Sequence, residues 1–237
     1  MLSDVKTKQI LKSIPTRQGC ISKSVFSPNG QHLATGGVDQ TIRVFDINSS
    51  EERLIFKGHT GEISALQYSP QGDVIAAGAS DNRLSLWNAD SGELRFMGEP
   101  LPSFINKIAF SADQKFLATG SFDNQVRIWD TNGQLLKVLS GHQRIISTNA
   151  FSTDGKLLAS GGEDDTVHIW DVKTGTLVHT IQEFLGHITA LIFSPDGHRL
   201  VLGSDDGFVS LWDPHSWLEM LTRQSHRGSV FYLDFAP

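Results

Sequence analysis

Between Leu139 and Ile181 the chain reads as four short apolar runs separated by polar turns. Ile145-Ile146-Ser147-Thr148-Asn149-Ala150-Phe151 is rich in β-formers. Asp154-Gly155 follows as a tight turn, because glycine accepts positive φ without steric cost. Leu157-Leu158-Ala159-Ser160 is the second run, and Gly161-Gly162 leads into a turn at Glu163-Asp164-Asp165. Val167-His168-Ile169-Trp170 then alternates apolar and polar, as a half-buried strand does. Thr174-Gly175 turns the chain into Leu177-Val178-His179-Thr180-Ile181. The pattern predicts four strands and no helix.

The same pattern recurs. An aromatic stands at Phe26, Tyr68, Phe110, Phe151, Phe193 and Phe235, at intervals of 42, 42, 41, 42 and 42 residues. A second ladder, Phe45, Trp87, Trp129, Trp170 and Trp212, keeps step with it, and so does an acid six residues earlier: Asp39, Asp81, Asp123, Asp164 and Asp206. First turns fall at Pro28-Asn29-Gly30, Gln71-Gly72, Ala112-Asp113-Gln114 and Pro195-Asp196-Gly197, between the apolar runs and not inside them. A period of about 40–45 residues with four strands per copy predicts an all-β fold, a β-propeller of four-stranded blades. The repeats span about 15–57, 58–99, 100–140, 141–182 and 183–224, with a partial one over 225–237, in a single uninterrupted domain. One blade cannot bury both its faces alone, so the copies stabilise one another.

These residues resemble the WD-repeat family. Trp129-Asp130, Trp170-Asp171 and Trp212-Asp213 match its tryptophan-aspartate pair, with Trp87-Asn88 and Phe45-Asp46 as variants. Gly58-His59 and Gly141-His142 match its glycine-histidine start, and Ser225-His226 is a variant of that. The resemblance implies a buried network of histidine, strand hydroxyl, turn aspartate and tryptophan. His142, Ser160, Asp164 and Trp170 match all four positions. The second copy has His59, Asp81 and Trp87 but Ala77 in place of the hydroxyl. The third has Thr119, Asp123 and Trp129, with Leu101 at the histidine position. The first keeps Thr35 and Asp39 beside Arg17 and Phe45. His187 lies six residues before its strand aromatic instead of nine. It therefore belongs at a strand entrance, and Phe184 takes the aligned position.

Candidate chemistry adds little. His142, Ser160 and Asp164 are the residue types of a hydrolase triad, but a nucleophilic serine needs exposure near an oxyanion site. The resemblance instead assigns all three to buried structural positions, and no Gly-x-Ser-x-Gly elbow occurs. Nine histidines lack the paired spacing of a metal centre. No phosphate-binding glycine loop is present, and the acidic turns lack the ligand pattern of a calcium hand. No catalytic residue, cofactor or metal is expected. The net charge of -6, with both signs interspersed, argues against nucleic acid as a partner. No run approaches the roughly 20 apolar residues of a membrane span. Cys20, the lone cysteine, reads as a small core residue, and the cytoplasm is the expected address.

The expected function is a non-catalytic scaffold for protein or peptide partners. The alternative is a regulatory or sensor module of a larger protein, such as a nucleotide-binding ATPase or a kinase. The resemblance places the partner face on the rim carrying the strand entrances and the turns between second and third strands. There Phe104, Phe122 and Ile145 break a mostly polar pattern, with Glu163 one copy along. Ile10 to Ile14 aligns with an outer strand and Ser229 to Phe235 with an inner one. These unpaired terminal strands predict a fragment of a six- or seven-bladed ring.

Overall fold

The computed structural model describes residues 2–3, 10–182 and 186–235, and every regular element among them is a strand. A two-stranded hairpin, β1 (Leu2–Ser3) with β2 (Ile10–Lys12), comes first. The first four-stranded sheet holds β3 (Ile21–Phe26), β4 (His32–Gly37), β5 (Ile42–Asp46) and β6 (Glu52–Phe56). The second holds β7 (Ile63–Tyr68), β8 (Val74–Ala79), β9 (Leu84–Asn88) and β10 (Leu94–Met97). The third holds β11 (Ile105–Phe110), β12 (Phe116–Ser121), β13 (Gln125–Asp130) and β14 (Leu135–Ser140). The fourth holds β15 (Ile146–Phe151), β16 (Leu157–Gly162), β17 (Val167–Asp171) and β18 (Leu177–Ile181). The fifth holds β19 (Ile188–Phe193), β20 (Leu200–Ser204), β21 (Phe208–Trp212) and β22 (Glu219–Gln224). Each sheet is an antiparallel meander, and the inner strands β3, β7, β11, β15 and β19 touch in that order.

Turn chemistry explains the meanders. Three residues per blade adopt positive φ, one in each turn, and Gly, Asn, Asp or Gln fills most of these positions. The exceptions are Ser50, at φ 65, and Trp217, at φ 56 where the second, third and fourth blades carry glycine. The Trp217 ring stacks on His179 of the neighbouring blade at 5.4 Å, a contact that offsets the backbone cost.

Blades join by a knob and a socket. The first residue of each inner strand, Ile63, Ile105, Ile146 or Ile188, enters the space over a glycine in the second strand of the preceding blade. A Cβ added at Gly78 would lie 2.6 Å from Ile105, and one at Gly161 would lie 2.5 Å from Ile188. Gly36 and Gly120 receive Ile63 and Ile146 in the same way. A bulge follows each knob, and it frees the next side chain from the ladder. That side chain staples its blade to the following one. Ser22 donates to the Ile63 carbonyl at 2.6 Å, Ser64 to Ile105 at 2.6 Å, and Asn106 to Ile146 at 3.1 Å. Ser147 donates to the Ile188 carbonyl, and Thr189 to Val230 at 2.6 Å.

The arc is not closed. Among the described residues no socket receives Ile21, the first knob, which is 44% exposed, whereas Ile146 is 0% exposed. At the other end Val230 fills the socket over Gly203, and its N–H donates to Ser204 at 3.0 Å. Ser229 to Phe235, expected as an inner strand, carries no strand: among the described residues no second strand lies beside it to continue a ladder, and Phe231 and Tyr232 are exposed. At the N-terminal side the expected outer strand is Ile10–Lys12. It pairs with Leu2–Ser3 in the register and bulge of an outer blade hairpin such as Ile169↔His179 and Trp170↔Leu177. Cys20, expected in the core, is exposed, because it precedes the one inner strand that no earlier blade covers.

Truncating a seated knob should therefore cost far more than truncating the free one. Ile146→Ala is expected to lose about 2–5 kcal/mol. Ile21→Ala should stay within about 0.5 kcal/mol. Urea melts of the two variants make the comparison, and equal losses would mean that the socket is not the main blade contact.

Candidate functional site

The fourth blade brings His142, Ser160, Asp164 and Trp170 together. The Trp170 indole N–H donates to Ser160 Oγ at 2.9 Å, and Ser160 Oγ lies 2.8 Å from His142 Nε2. His142 Nδ1 lies 2.9 Å from the Asp164 carboxylate, which also accepts from the Gln143 N–H at 2.7 Å and the Thr166 hydroxyl at 2.9 Å. One tautomer satisfies the chain: Nδ1–H donates to the acid, and Nε2 accepts the serine proton. Burial alone would raise the Asp164 pKa, but the bonds from His142 and Gln143 reverse that and hold it well below the usual carboxylate range.

This order, serine to histidine to acid, is also that of a hydrolytic triad. The environment denies it a substrate. Ser160 is 0% exposed, and its oxygen already takes the indole proton, so no carbonyl can approach it. The network ties a turn, a strand entrance and two strands into one unit. Among the described residues, no three His, Cys, Asp or Glu side chains converge to hold a metal.

The other blades assemble related networks from residues that the repeat pattern does not single out. Facing the hydroxyl position across the second and third strands stand Arg43, Ser85, Arg127, His168 and Ser210, opposite Thr35, Ala77, Thr119, Ser160 and Leu202. Where the second strand lacks a hydroxyl, the third strand supplies it. Ser85 accepts from Trp87 at 2.8 Å and lies 2.7 Å from His59 Nε2, while His59 Nδ1 reaches Asp81 at 2.9 Å. Ser210 accepts from Trp212 at 2.9 Å in the fifth blade. Where the histidine is missing, an arginine takes the acid. Arg127 meets Asp123 through both its terminal nitrogens, at 2.7 and 3.2 Å, while Thr119 accepts from Trp129 at 3.0 Å. Leu101 packs against the apolar core shared by the second and third blades. Arg43 meets Asp39 at 3.1 Å.

In the first blade the aligned Arg17 is exposed at φ 56, and its neighbour Gln18 turns inward instead. Gln18 is buried, accepts from the Thr35 hydroxyl and donates to the Thr41 carbonyl at 3.0 Å. The fourth blade, complete without help, uses the facing position for His168, whose ring stacks on His142 at 4.1 Å. Burial, reinforced by His142, pushes the His168 pKa down to about 4. His187 stands at its strand entrance, outside any tetrad, and bonds Asp165 of the fourth blade at 2.9 Å. The Phe184 position lies outside the described residues.

On the rim, each strand entrance is joined to the residue before the turn aspartate of its own blade. The Val38 N–H donates to Cys20 at 3.1 Å, Ser80 to Glu62 at 2.8 Å and Phe122 to Phe104 at 3.3 Å. Glu163 donates to Ile145 at 3.0 Å and Asp205 to His187 at 3.0 Å. In the third blade this pairing stacks the two phenylalanine rings, centroids 4.0 Å apart. Phe104, Phe122, Ile145 and Glu163 are all half-buried, so the aromatic pair presents an edge and not two free rings.

Two predictions follow from the networks. Ser85→Ala should cost about 1–3 kcal/mol, since it strands a buried indole N–H, and adding Ala77→Ser should recover most of the loss from the facing strand. A Ser85→Ala variant that melts like the parent would contradict the exchange. Because the folded Asp164 pKa lies below its unfolded value of about 3.9, its contribution is full above that range and is lost as pH falls through the folded pKa. Asp164→Asn should therefore flatten the acid side of the stability profile. Asp39→Asn should flatten it less, because the Asp39 side chain is 27% exposed against 8% for Asp164. Urea melts between about pH 7 and pH 2 read both slopes.

The family model for the WD domain, G-beta repeat, matches residues 9–46, 50–88, 95–130, 133–171 and 175–213. Each match opens at or beside an outer strand and closes at the third strand of the following sheet, so the sequence repeat straddles the joint between blades. No curated protein matches the chain. With five matches across most of its length and five four-stranded sheets in series, the chain belongs to the WD-repeat family.

Proposed function

We propose that the chain is a non-catalytic scaffold that takes protein partners on the rim of strand entrances and second turns. WD repeats are in general protein-interaction modules. The observation that carries the rest is the stacked Phe104–Phe122 pair, half-buried where the corresponding pairs are Cys20 with Val38 and Glu62 with Ser80. Preassembled aromatic rings offer apolar area with little side-chain entropy left to lose, which suits them as anchors for an incoming apolar group. Glu163 on the adjacent blade supplies a carboxylate for a basic residue beside that group. The buried serines support the non-catalytic side of the reading, since neither Ser160 nor Ser85 can reach a substrate.

The test pairs stability with binding. Phe122→Ser and Phe104→Ser are expected to melt near the parent temperature and to weaken a captured partner by about 2 kcal/mol, roughly 30-fold in Kd. Affinity capture with mass spectrometry finds the partner, and titration calorimetry measures the loss. If both variants fold and retain every partner, the rim is not the binding face. If both lose stability, the rings only hold the blade together.

A further inference from the structure

The opposite rim carries a second feature. Between the third and fourth blades lies an open groove of about 660 Å³, walled by the first turns, the turn after β17 and the start of β14. Its apolar lining is the exposed Leu136 and the half-buried Phe116, with Ile128 and Val172 buried behind them. Around the mouth stand Lys115, Lys137, Lys156 and Lys173, four of the ten lysines of a chain whose net charge is -6. Lys115 and Lys156 each pair with an aspartate of their own turn, Asp113 and Asp154, at 3.1 Å. The third acid, Asp171, is bonded within its own turn to the Thr174 N–H and hydroxyl. Among the described residues, no carboxylate forms an ion pair with Lys137 or Lys173.

The groove differs from its counterpart between the second and third blades. By strand register, Lys137 opposite Ile128 corresponds to Phe96 opposite Leu86 in the second blade. Phe96 lies directly over Gly133 of the next turn, whereas the Lys137 stem crosses Gly175 and carries its ammonium to the mouth. Lys115 corresponds to Asp73, and Lys173 to Asn132 in the shorter turn. The exchange of an aromatic cover for lysine, and of Asp and Asn for two more, opens this joint and makes it cationic. β14 is also the last strand of its sheet and exposes Leu135, Leu136 and Val138 beside the groove.

We propose that this groove docks a short acidic segment of a partner protein. One large apolar side chain of that segment rests on Phe116 and Leu136, and its flanking carboxylates meet Lys137 and Lys173. An apolar anchor framed by cations that make no close ion pair is complementary in both shape and charge to such a segment. An anionic membrane surface fits less well, because the apolar floor is recessed between two blades and the lysines surround it. The site is separate from the phenylalanine rim, so either can fail without the other.

Fluorescence anisotropy of the 237-residue chain tests this with four probes. They are a labelled peptide with a central phenylalanine among aspartates and glutamates, the same peptide with alanine at the centre, the same with lysine flanks, and phosphatidylserine-phosphatidylcholine vesicles. The acidic phenylalanine peptide should bind saturably, at least about tenfold more tightly than the other two peptides, with affinity falling as salt rises. Lys137→Glu with Lys173→Glu should weaken it about tenfold or more, and Phe122→Ser should leave it unchanged. Should the double variant melt early, Lys173→Gln alone serves, since that side chain is exposed and its loss should still weaken binding measurably. No saturable binding up to about 1 mM, equal binding of the lysine-flanked peptide, or vesicle binding without peptide binding would overturn the proposal. Full affinity in folded lysine variants would overturn it as well.

Discussion

Everything in this molecule depends on an isoleucine or valine having a glycine to sit against. The inner strand of each blade after the first starts with that branched side chain, and the blade before it leaves a hole of matching size. The contact fixes how closely adjacent blades approach, and the bulge beside it releases a hydroxyl or amide for the staple. A Cβ at the socket would force the blades apart at their most crowded point, and overpacking of that kind destabilises as surely as a cavity does. The aliphatic faces behind the socket then close into clusters shared by neighbouring sheets, such as Ile63 with Val44 and Phe56.

The polar networks are a second, more tolerant layer. A buried aspartate needs donors and a buried indole needs an acceptor, but physics does not specify which strand supplies them. Residues facing each other across an antiparallel pair lie only about 4.5–5.5 Å apart, so the same atom position can be reached from either strand. Ser85 stands in for the missing hydroxyl at Ala77 by this route, and Arg127 stands in for the missing histidine at Leu101. The substitute differs in kind as well as origin. An arginine keeps its charge over the whole working pH range, so the third blade holds its aspartate by a pairing that protonation of an imidazole does not alter.

The sheets, their order and the turn positions were legible because one period governs them all. Three registered ladders leave no freedom in where strands begin and end. The complete tetrad of the fourth blade was legible for the same reason. Ser85, Arg43 and Arg127 were not, since the family pattern marks one strand while the chemistry crosses to its neighbour. The facing ladder, two residues before each strand aromatic, keeps the same period and would have revealed them. Gln18 escaped for a different reason: the chain turns through positive φ at Arg17, which shifts by one residue the side chain that points inward. The half-burial of Phe104 and Phe122 was not legible along the chain, because it arises from the backbone bond and ring contact that join the strand entrance to the residue after the second strand.

The staples have a consequence for how such a surface can change. Each one runs from a blade only to the next, and none links blades further apart among the bonds described. Mechanical demand on a blade is thus confined to its two joints, and its turns answer to no distant part of the molecule. Aromatic rings can occupy one rim and lysines the other, in adjacent repeats, without any renegotiation of the frame. Novelty in this architecture is cheap at the periphery because the constraints are all paid at the hinge lines between neighbours.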